Sequence, residues 1–202
     1  MNIQQIKKTK EKIIVIPVWQ DGQNAAKELA AVYAKDESVF LPCVHGSVNG
    51  AYLETVFGYA PKKSGVEAVL YIGLGKVEEW NAVKMYRVFG RVATAMQEKK
   101  YTTFAVDVSP LSAVESNLLS VVYDVSVALV SGAYSFDDFI KKDRRTVKIT
   151  SVDLLGVTAE PDAQTYISNG IKVGEAMNFM KELGNTPPTQ MTPAVLANAA
   201  VS

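Results

Sequence analysis

The chain has 202 residues, 48% of them apolar and 21% charged, with Lys+Arg and Asp+Glu both at 21. A chain of this length removes roughly 70% of its unfolded surface from water, so it can build one sizeable core without disulfides or a structural metal, and its composition excludes disorder and low complexity. A formal charge of zero excludes whole-molecule attraction to nucleic acid or anionic membrane.

Two local basic patches remain, one at Lys7, Lys8, Lys10 and Lys12 and one at Lys141, Lys142, Arg144 and Arg145; both read as solvated edges. Cys43 is the single cysteine, so no internal disulfide can form, and a reducing compartment is expected. The apolar run Ile13 to Val18 is too short for a signal-peptide core, and no stretch approaches a membrane span. The expected location is the cytoplasm.

Taken in chain order, strand and helix patterns alternate. Ile13 to Val18 is β-branched and continuous, the mark of a strand buried on both faces. Asp21 caps a helix whose Ala25, Ala26, Leu29, Ala30 and Tyr33 recur at helical spacing. Val39 to Val44 and Ala51 to Tyr59 read as strands flanking the loop from His45 to Gly50. Ala68 to Gly75 is the clearest buried strand and ends in glycines. Ala82, Met85, Phe89, Val92 and Met96 then form a helical stripe spaced 3, 4, 3, 4.

Thr102 to Val108 is the next expected strand. Ser112 to Glu115 reads as a capping box opening a helix that buries Val114, Leu118, Val121, Val125 and Leu129 and stops near Gly132. Thr146 to Val157 reads as a further strand. Thr158 is expected to cap a long helix with Pro161 in its first turn, carrying Ile167, Ile171, Gly174, Met177 and Leu183. Strands separated by helices of this length predict an α/β fold, a three-layer sandwich with a mixed, largely parallel sheet whose strand order is not readable.

The expected division is an α/β domain over residues 1–183 and a different segment over 184–202. Gly184 to Met191 is rich in helix breakers, including Pro187 and Pro188. Thr192 as N-cap and Pro193 at the first position then start another helix, with Val195, Leu196, Ala199 and Ala200 on its apolar face. A helix this short persists only against a partner. That partner is either a downstream domain or the same domain, and physics alone leaves the two open.

The residues that carry hydrolytic chemistry are not assembled by any motif. His45 is the only histidine, and with Cys43 it supplies at most two of the four ligands a tetrahedral zinc site needs. A thiol and its base would need a third, orienting group. The bland reading, a strand cysteine near a loop histidine, is preferred. Gly73-Leu74-Gly75-Lys76 after a strand invites a phosphate-loop reading. The third fingerprint glycine is replaced by Glu78, with Glu79 beside it, so a tight strand-to-helix turn is expected instead. Asp137, Asp138 and Asp143 lie among basic residues and around Phe136 and Phe139, and read as a solvated loop. No buried carboxylate pair is evident.

Three segments in order resemble the leucyl aminopeptidase (cytosol aminopeptidase) family. Leu70 to Lys76 resembles the strand and turn before the second helix of that family's amino-terminal domain. Ser131 to Phe139 resembles its G-A-Y-x-F-D segment. Glu182-Leu183-Gly184-Asn185-Thr186-Pro187-Pro188, with Met191-Thr192-Pro193 and Leu196-Ala197, is similar to its N-T-P-P…T-P…L-A junction between amino-terminal and catalytic domains. The departures are mild: Lys181 and Gly184 stand where another small or apolar residue is usual, and Thr189 replaces a common asparagine.

The resemblance implies a macro-like amino-terminal domain, a linker and the start of a catalytic domain over 184–202, and a hexameric parent. In that parent, two divalent metals (zinc, manganese or magnesium) on the catalytic domain activate the water that removes amino-terminal residues from peptides. The family's N-T-D-A-E-G-R-L motif is not in this sequence, so no catalytic, cofactor-binding or metal-binding residue carries over, and this chain alone is expected to be inactive. The alternative is a stand-alone macro-like module that binds ADP-ribose or another nucleotide at Gly73 to Lys76. Nucleic-acid binding, a third possibility, is disfavoured by the zero net charge.

Overall fold

The computed structural model describes residues 1–6, 10–20, 48–59, 66–141, 143, 145–157 and 161–201. The helix read after Asp21, the strand read over Val39 to Val44, and Cys43, His45, Lys7, Lys8, Lys142, Arg144 and Thr158 lie outside the described residues.

Six strands form one sheet: β1 (Asn2–Gln5), β2 (Ile13–Trp19), β3 (Thr55–Tyr59), β4 (Ala68–Gly75), β5 (Thr103–Asp107) and β6 (Ser151–Leu155). Their order is β1-β6-β5-β2-β4-β3, parallel throughout except for β3, which runs antiparallel to β4 at one edge. The fold is thus α/β with a mixed, mostly parallel sheet. Every residue of β2 and β4 is buried, as their unbroken apolar runs require. Pro17 lies inside this central strand, where a missing N–H would normally break a ladder. The β2–β5 register covers Ile14 and Val15 only, so Pro17 sits where β2 pairs with β4 alone.

Three long helices are described, α1 (Ala82–Glu98), α2 (Leu118–Gly132) and α3 (Ala163–Asn185), with a short α4 (Pro193–Ala199) after them. Asn81 caps α1 by accepting from the Lys84 N–H at 3.0 Å. The stripe Met85, Phe89, Val92 and Met96 is buried as expected and Val88 joins it, whereas Ala82, in the first turn, is exposed.

The expected capping box does not form. Ser109–Ala113 is a 3-10 turn, nucleated by buried Asp107, whose carboxylate accepts from the Ser109 N–H and hydroxyl at 2.9 Å each. The Ser112 hydroxyl is spent on the Ser109 carbonyl, and Glu115 accepts from the Asn117 N–H. Asn117 is the actual cap of α2, accepting from Leu119 and Ser120 N–H groups at 3.1 and 3.4 Å. Asn117→Ala is expected to cost about 1 kcal/mol of stability, read as a lower urea midpoint at unchanged slope.

Several elements are shorter than the sequence patterns suggest. Residues 51–54 form a turn before β3, the strand expected from Thr146 is confined to Ser151–Leu155, and α3 begins at Ala163 after Asp162, so Pro161 precedes it. At its far end α3 passes through Gly184 and stops at Asn185, two residues before Pro187.

α2 lies between α1 and α3. It is apolar on most of its circumference, with Val121, Val122, Val125, Val127, Ala128, Leu129 and Val130 all buried, which suits a helix covered on several sides. α3 approaches it closely because Gly170 and Gly174 are one turn apart on the contact face. A Cβ on Gly170 would lie 2.5 Å from the Tyr123 carbonyl oxygen, and one on Gly174 would lie 2.7 Å from the Val130 Cβ.

Between α1 and α2, the Tyr86 hydroxyl donates to Asp124 Oδ1 at 3.3 Å. Burial, and after it the neighbouring Glu115 charge, hold the Asp124 carboxyl above its ordinary value, with the Tyr86 hydrogen bond acting against them. A carboxyl raised in the folded state adds stability below its unfolded pKa and loses it as pH rises through the folded one. Asp124→Asn should therefore melt at or above the parent temperature at neutral pH, and the difference should vanish below the ordinary aspartate pKa. Paired thermal melts across that range check it.

Candidate interdomain surface

The inner face of α3 presents Ala163, Ile167, Gly170 and Gly174 to the core. About a quarter turn away lies a second apolar stripe, Tyr166, Val173, Met177 and Met180, spaced 7, 4 and 3, which keeps it on one side of the helix. These side chains are 39–66% exposed, Met180 most of all. Phe179 adds a further exposed ring, and Val195, Leu196 and Val201 are exposed on and after α4. Thr192 caps α4 from its side-chain oxygen and Pro193 opens it, as the sequence predicts. A run of large apolar side chains in water on one helix and the segment after it is the composition of a docking surface.

The carboxy-terminal half of α3 is tied to α2 by polar side chains that satisfy the last carbonyls of α2. Asn178 Nδ2 donates to the Val130 carbonyl at 2.9 Å, and Lys181 Nζ donates to the Ser131 carbonyl at 2.6 Å. On α1, Gln97 Nε2 does the same for Ala133 at 2.9 Å. Such carbonyls have no partner within their own helix. The Lys181 ammonium also sits 5.3 Å from the centre of the Tyr134 ring, and burial pushes its pKa down.

Tyr134 donates its hydroxyl to Glu182 Oε2 at 3.0 Å and accepts from Asn185 Nδ2 at 3.1 Å. Burial first, and Glu182 next to it, push the Tyr134 phenol up. A cleft of about 450 Å³ runs beside this network, lined among others by Met1, Tyr134, Lys148, Glu175 and Phe179. The Ser131 to Phe139 segment and the Glu182 to Pro188 segment, about fifty residues apart in sequence, thus meet through Tyr134, Glu182 and Asn185, and Lys181, immediately before the second segment, reaches Ser131.

The other residues singled out by sequence are placed as follows. The turn at Gly73 to Lys76 packs against residues 50–54. The Gly73 N–H donates to the Glu54 carbonyl at 2.8 Å, and the Gly75 N–H to the Gly50 carbonyl at 2.9 Å. Those donors face a chain segment, and α1 begins only at Ala82 after the 3-10 turn Val77–Glu79, so this is a strand-to-helix turn with no helix N-terminus at the glycines.

Asp137 staples its loop by accepting from the Ser135 hydroxyl, the Thr146 N–H and the Thr146 hydroxyl, while Asp138 and Asp143 are exposed. Phe136 and Phe139 touch, with ring centres 5.6 Å apart. Lys10, Lys141 and Arg145 are exposed, and Lys12 pairs with Glu67 on the surface.

Sequence reading missed two buried carboxylates, Asp107 and Asp153, on the adjacent strands β5 and β6. Asp107 holds the Ser109 turn, and Asp153 accepts from Gln4 Nε2 at 2.9 Å. Their only signal in the sequence was a lone acid inside each apolar run. Among the described residues no three His, Cys, Asp or Glu side chains converge as a metal site would require.

The sequence model for the cytosol aminopeptidase family, N-terminal domain, matches residues 15–143. The chain belongs to the cytosol aminopeptidase family. Among curated relatives it is 22% identical over 194 residues to a probable cytosol aminopeptidase of Chlamydia muridarum, covering 96% of this chain and 38% of that protein. It is 24% identical over 188 residues to the corresponding protein of Bdellovibrio bacteriovorus, covering 91% and 37%. The chain therefore spans less than half the length of these relatives, and within the cytosol aminopeptidase family it is the amino-terminal domain.

The fold is similar to that of a tomato leucine aminopeptidase mutant, with a TM-score of 0.80 at 17% identity over 100% of this chain and 41% of that one. It is also similar to the bottromycin maturation enzyme BotP, with a TM-score of 0.67 at 16% identity over 93% and 35%. Among the described residues no helix is long and apolar enough to cross a membrane.

Proposed function

We propose that this domain is non-catalytic and serves as the structural and docking partner of a carboxy-terminal metallo-aminopeptidase domain. The whole protein removes amino-terminal residues from peptides by two-metal hydrolysis and works as a hexamer in the cytoplasm. The domain spans residues 1–183, with 184–202 leading into the catalytic domain. The observation that carries this reading is coverage: the match takes in 96% of this chain but 38% of a probable cytosol aminopeptidase. The exposed apolar stripe on α3 and the apolar residues of α4 supply the surface that such a partner would cover.

The metals, zinc, manganese or magnesium, belong to the catalytic domain in this reading. The described side chains offer no cluster to hold one, so no step of hydrolysis is assigned to this chain. Its own contribution is geometric. The Tyr134, Lys181, Glu182 and Asn185 contacts set the direction in which α3 delivers the chain to Thr186 and beyond.

Two measurements test the reading together. The purified 202-residue chain should not turn over leucyl-p-nitroanilide with added manganese or zinc, and metal-dependent turnover would refute a non-catalytic role. The reading frame beyond the Ser202 codon should encode the family's lysine and acidic metal ligands; a stop codon there would remove the proposed partner.

A further inference from the structure

The first two turns of α2 and of α3 flank an open recess of about 390 Å³ lined by Ser120, Tyr123, Asp124, Tyr166 and Asn169. It lies at the opposite end of α3 from the junction network, and of its lining residues only Tyr166 belongs to the outer apolar stripe of that helix. Among the described residues that line it, Asp124 is the one charged group, and it accepts from the Tyr86 hydroxyl on Oδ1. Among the described residues the ion pairs are Lys12–Glu67, Lys84–Glu79 and Arg91–Glu98, and none includes Asp124. The other charge felt at this carboxylate is that of Glu115, which has the same sign. Among the described residues, the wall thus carries a half-buried carboxylate with no counter-ion, two phenol rings, a hydroxyl and an amide.

We propose that this recess binds a small organic cation, an alkylammonium or guanidinium group, with Asp124 as its counter-charge and Tyr123 and Tyr166 as aromatic walls. A carboxylate short of positive charge attracts a cation, and aromatic rings beside it add attraction through their negative faces, by roughly 0.5–2 kcal/mol depending on exposure. The Ser120 hydroxyl and Asn169 amide oxygen are acceptors suited to the N–H groups such a cation carries and a quaternary ammonium lacks. An anion finds no donor of positive charge in this wall. The cation has two sources, a free amine or a lysine or arginine side chain on a peptide, and both share the chemistry the recess recognises.

The test is a titration of the isotope-labelled 202-residue chain, followed by amide chemical shifts, with butylammonium, ethylguanidinium, a capped arginine and the neutral isostere pentanamide. The cations should move the amides of Tyr123, Asp124, Tyr166 and Asn169 saturably, and pentanamide should not. Tighter binding of capped arginine than of ethylguanidinium would assign the side-chain source, and the reverse the free cation. Asp124→Asn should weaken the cations about tenfold or more. Tyr166→Leu, at an exposed position where folding is not at risk, should weaken them several-fold. Equal response to pentanamide, or cation binding unchanged in both variants, would overturn the proposal, as would no shift at any concentration.

Discussion

Gly73→Ala is expected to lose about 3–5 kcal/mol of stability, because among the described glycines an added methyl there meets the closest backbone atom. A Cβ at Gly73 would lie 1.8 Å from the Ala51 carbonyl oxygen and 2.8 Å from the Gly50 carbonyl carbon. Both are backbone atoms, so no side chain can rotate away. The 50–54 turn is itself held on β4 by three backbone hydrogen bonds, Leu53 N–H to Gly73, Gly73 N–H to Glu54 and Gly75 N–H to Gly50, between 2.8 and 3.0 Å. The Glu54 carboxylate braces it further by accepting from Asn49 and Ala51 N–H groups.

Moving the turn outward to admit a methyl would break several of these bonds at once and open the end of the central strand to water. Urea unfolding of the two proteins measures the loss as a drop in midpoint. A cost under about 1 kcal/mol would mean that the turn does not lie on β4. Gly184→Ala is the matching control. It sits in the last turn of α3 with nothing within 4 Å of the added methyl, so it should gain roughly 0.5–1 kcal/mol from helix propensity.

The second large effect concerns association. Met177→Glu with Met180→Glu is expected to weaken binding to the proposed catalytic domain by about a hundredfold or more while leaving this domain's stability within about 0.5 kcal/mol. The two methionines are 41% and 66% exposed, one turn apart on the outer stripe of α3. Glutamate is a good helix former, so the isolated domain has little to lose. In an interface, the same charges would be removed from water without partners, which costs several kcal/mol. Co-expression of the two domains followed by affinity measurement reads this directly. Undiminished affinity with both charges in place would show that the partner docks elsewhere.

The residues that resemble the family's junction acquire a physical role in this structure. Lys181, a departure from the usual small or apolar residue, reaches the Ser131 carbonyl and lies over Tyr134, so its long stem and single charge serve the end of α2. Glu182 and Asn185 bind the same tyrosine from one side of α3. Pairings between segments about fifty residues apart leave no mark on either segment read alone.

Local pattern was enough for the central strands. The uninterrupted apolar runs Ile13 to Val18 and Ala68 to Gly75 can be satisfied only by burial on both faces, and the 4, 3, 4 stripe from Met85 to Met96 only by a helix on a core. Helix starts were less legible. Ser112 to Glu115 has the letters of a capping box, but Asp107 draws the backbone into a 3-10 turn first, and Asn117 takes the cap.

Strand order, the close contact of Gly73 with Ala51, the burial of Asp107 and Asp153 and the recess around Asp124 all depend on segments distant in sequence coming together. The chain's own pattern of apolar and breaking residues decided which pieces become strand or helix, because those periods follow from backbone geometry. Which polar side chains end up facing one another was decided only when the sheet and its helices packed, because contact between remote residues is a property of the assembled layers.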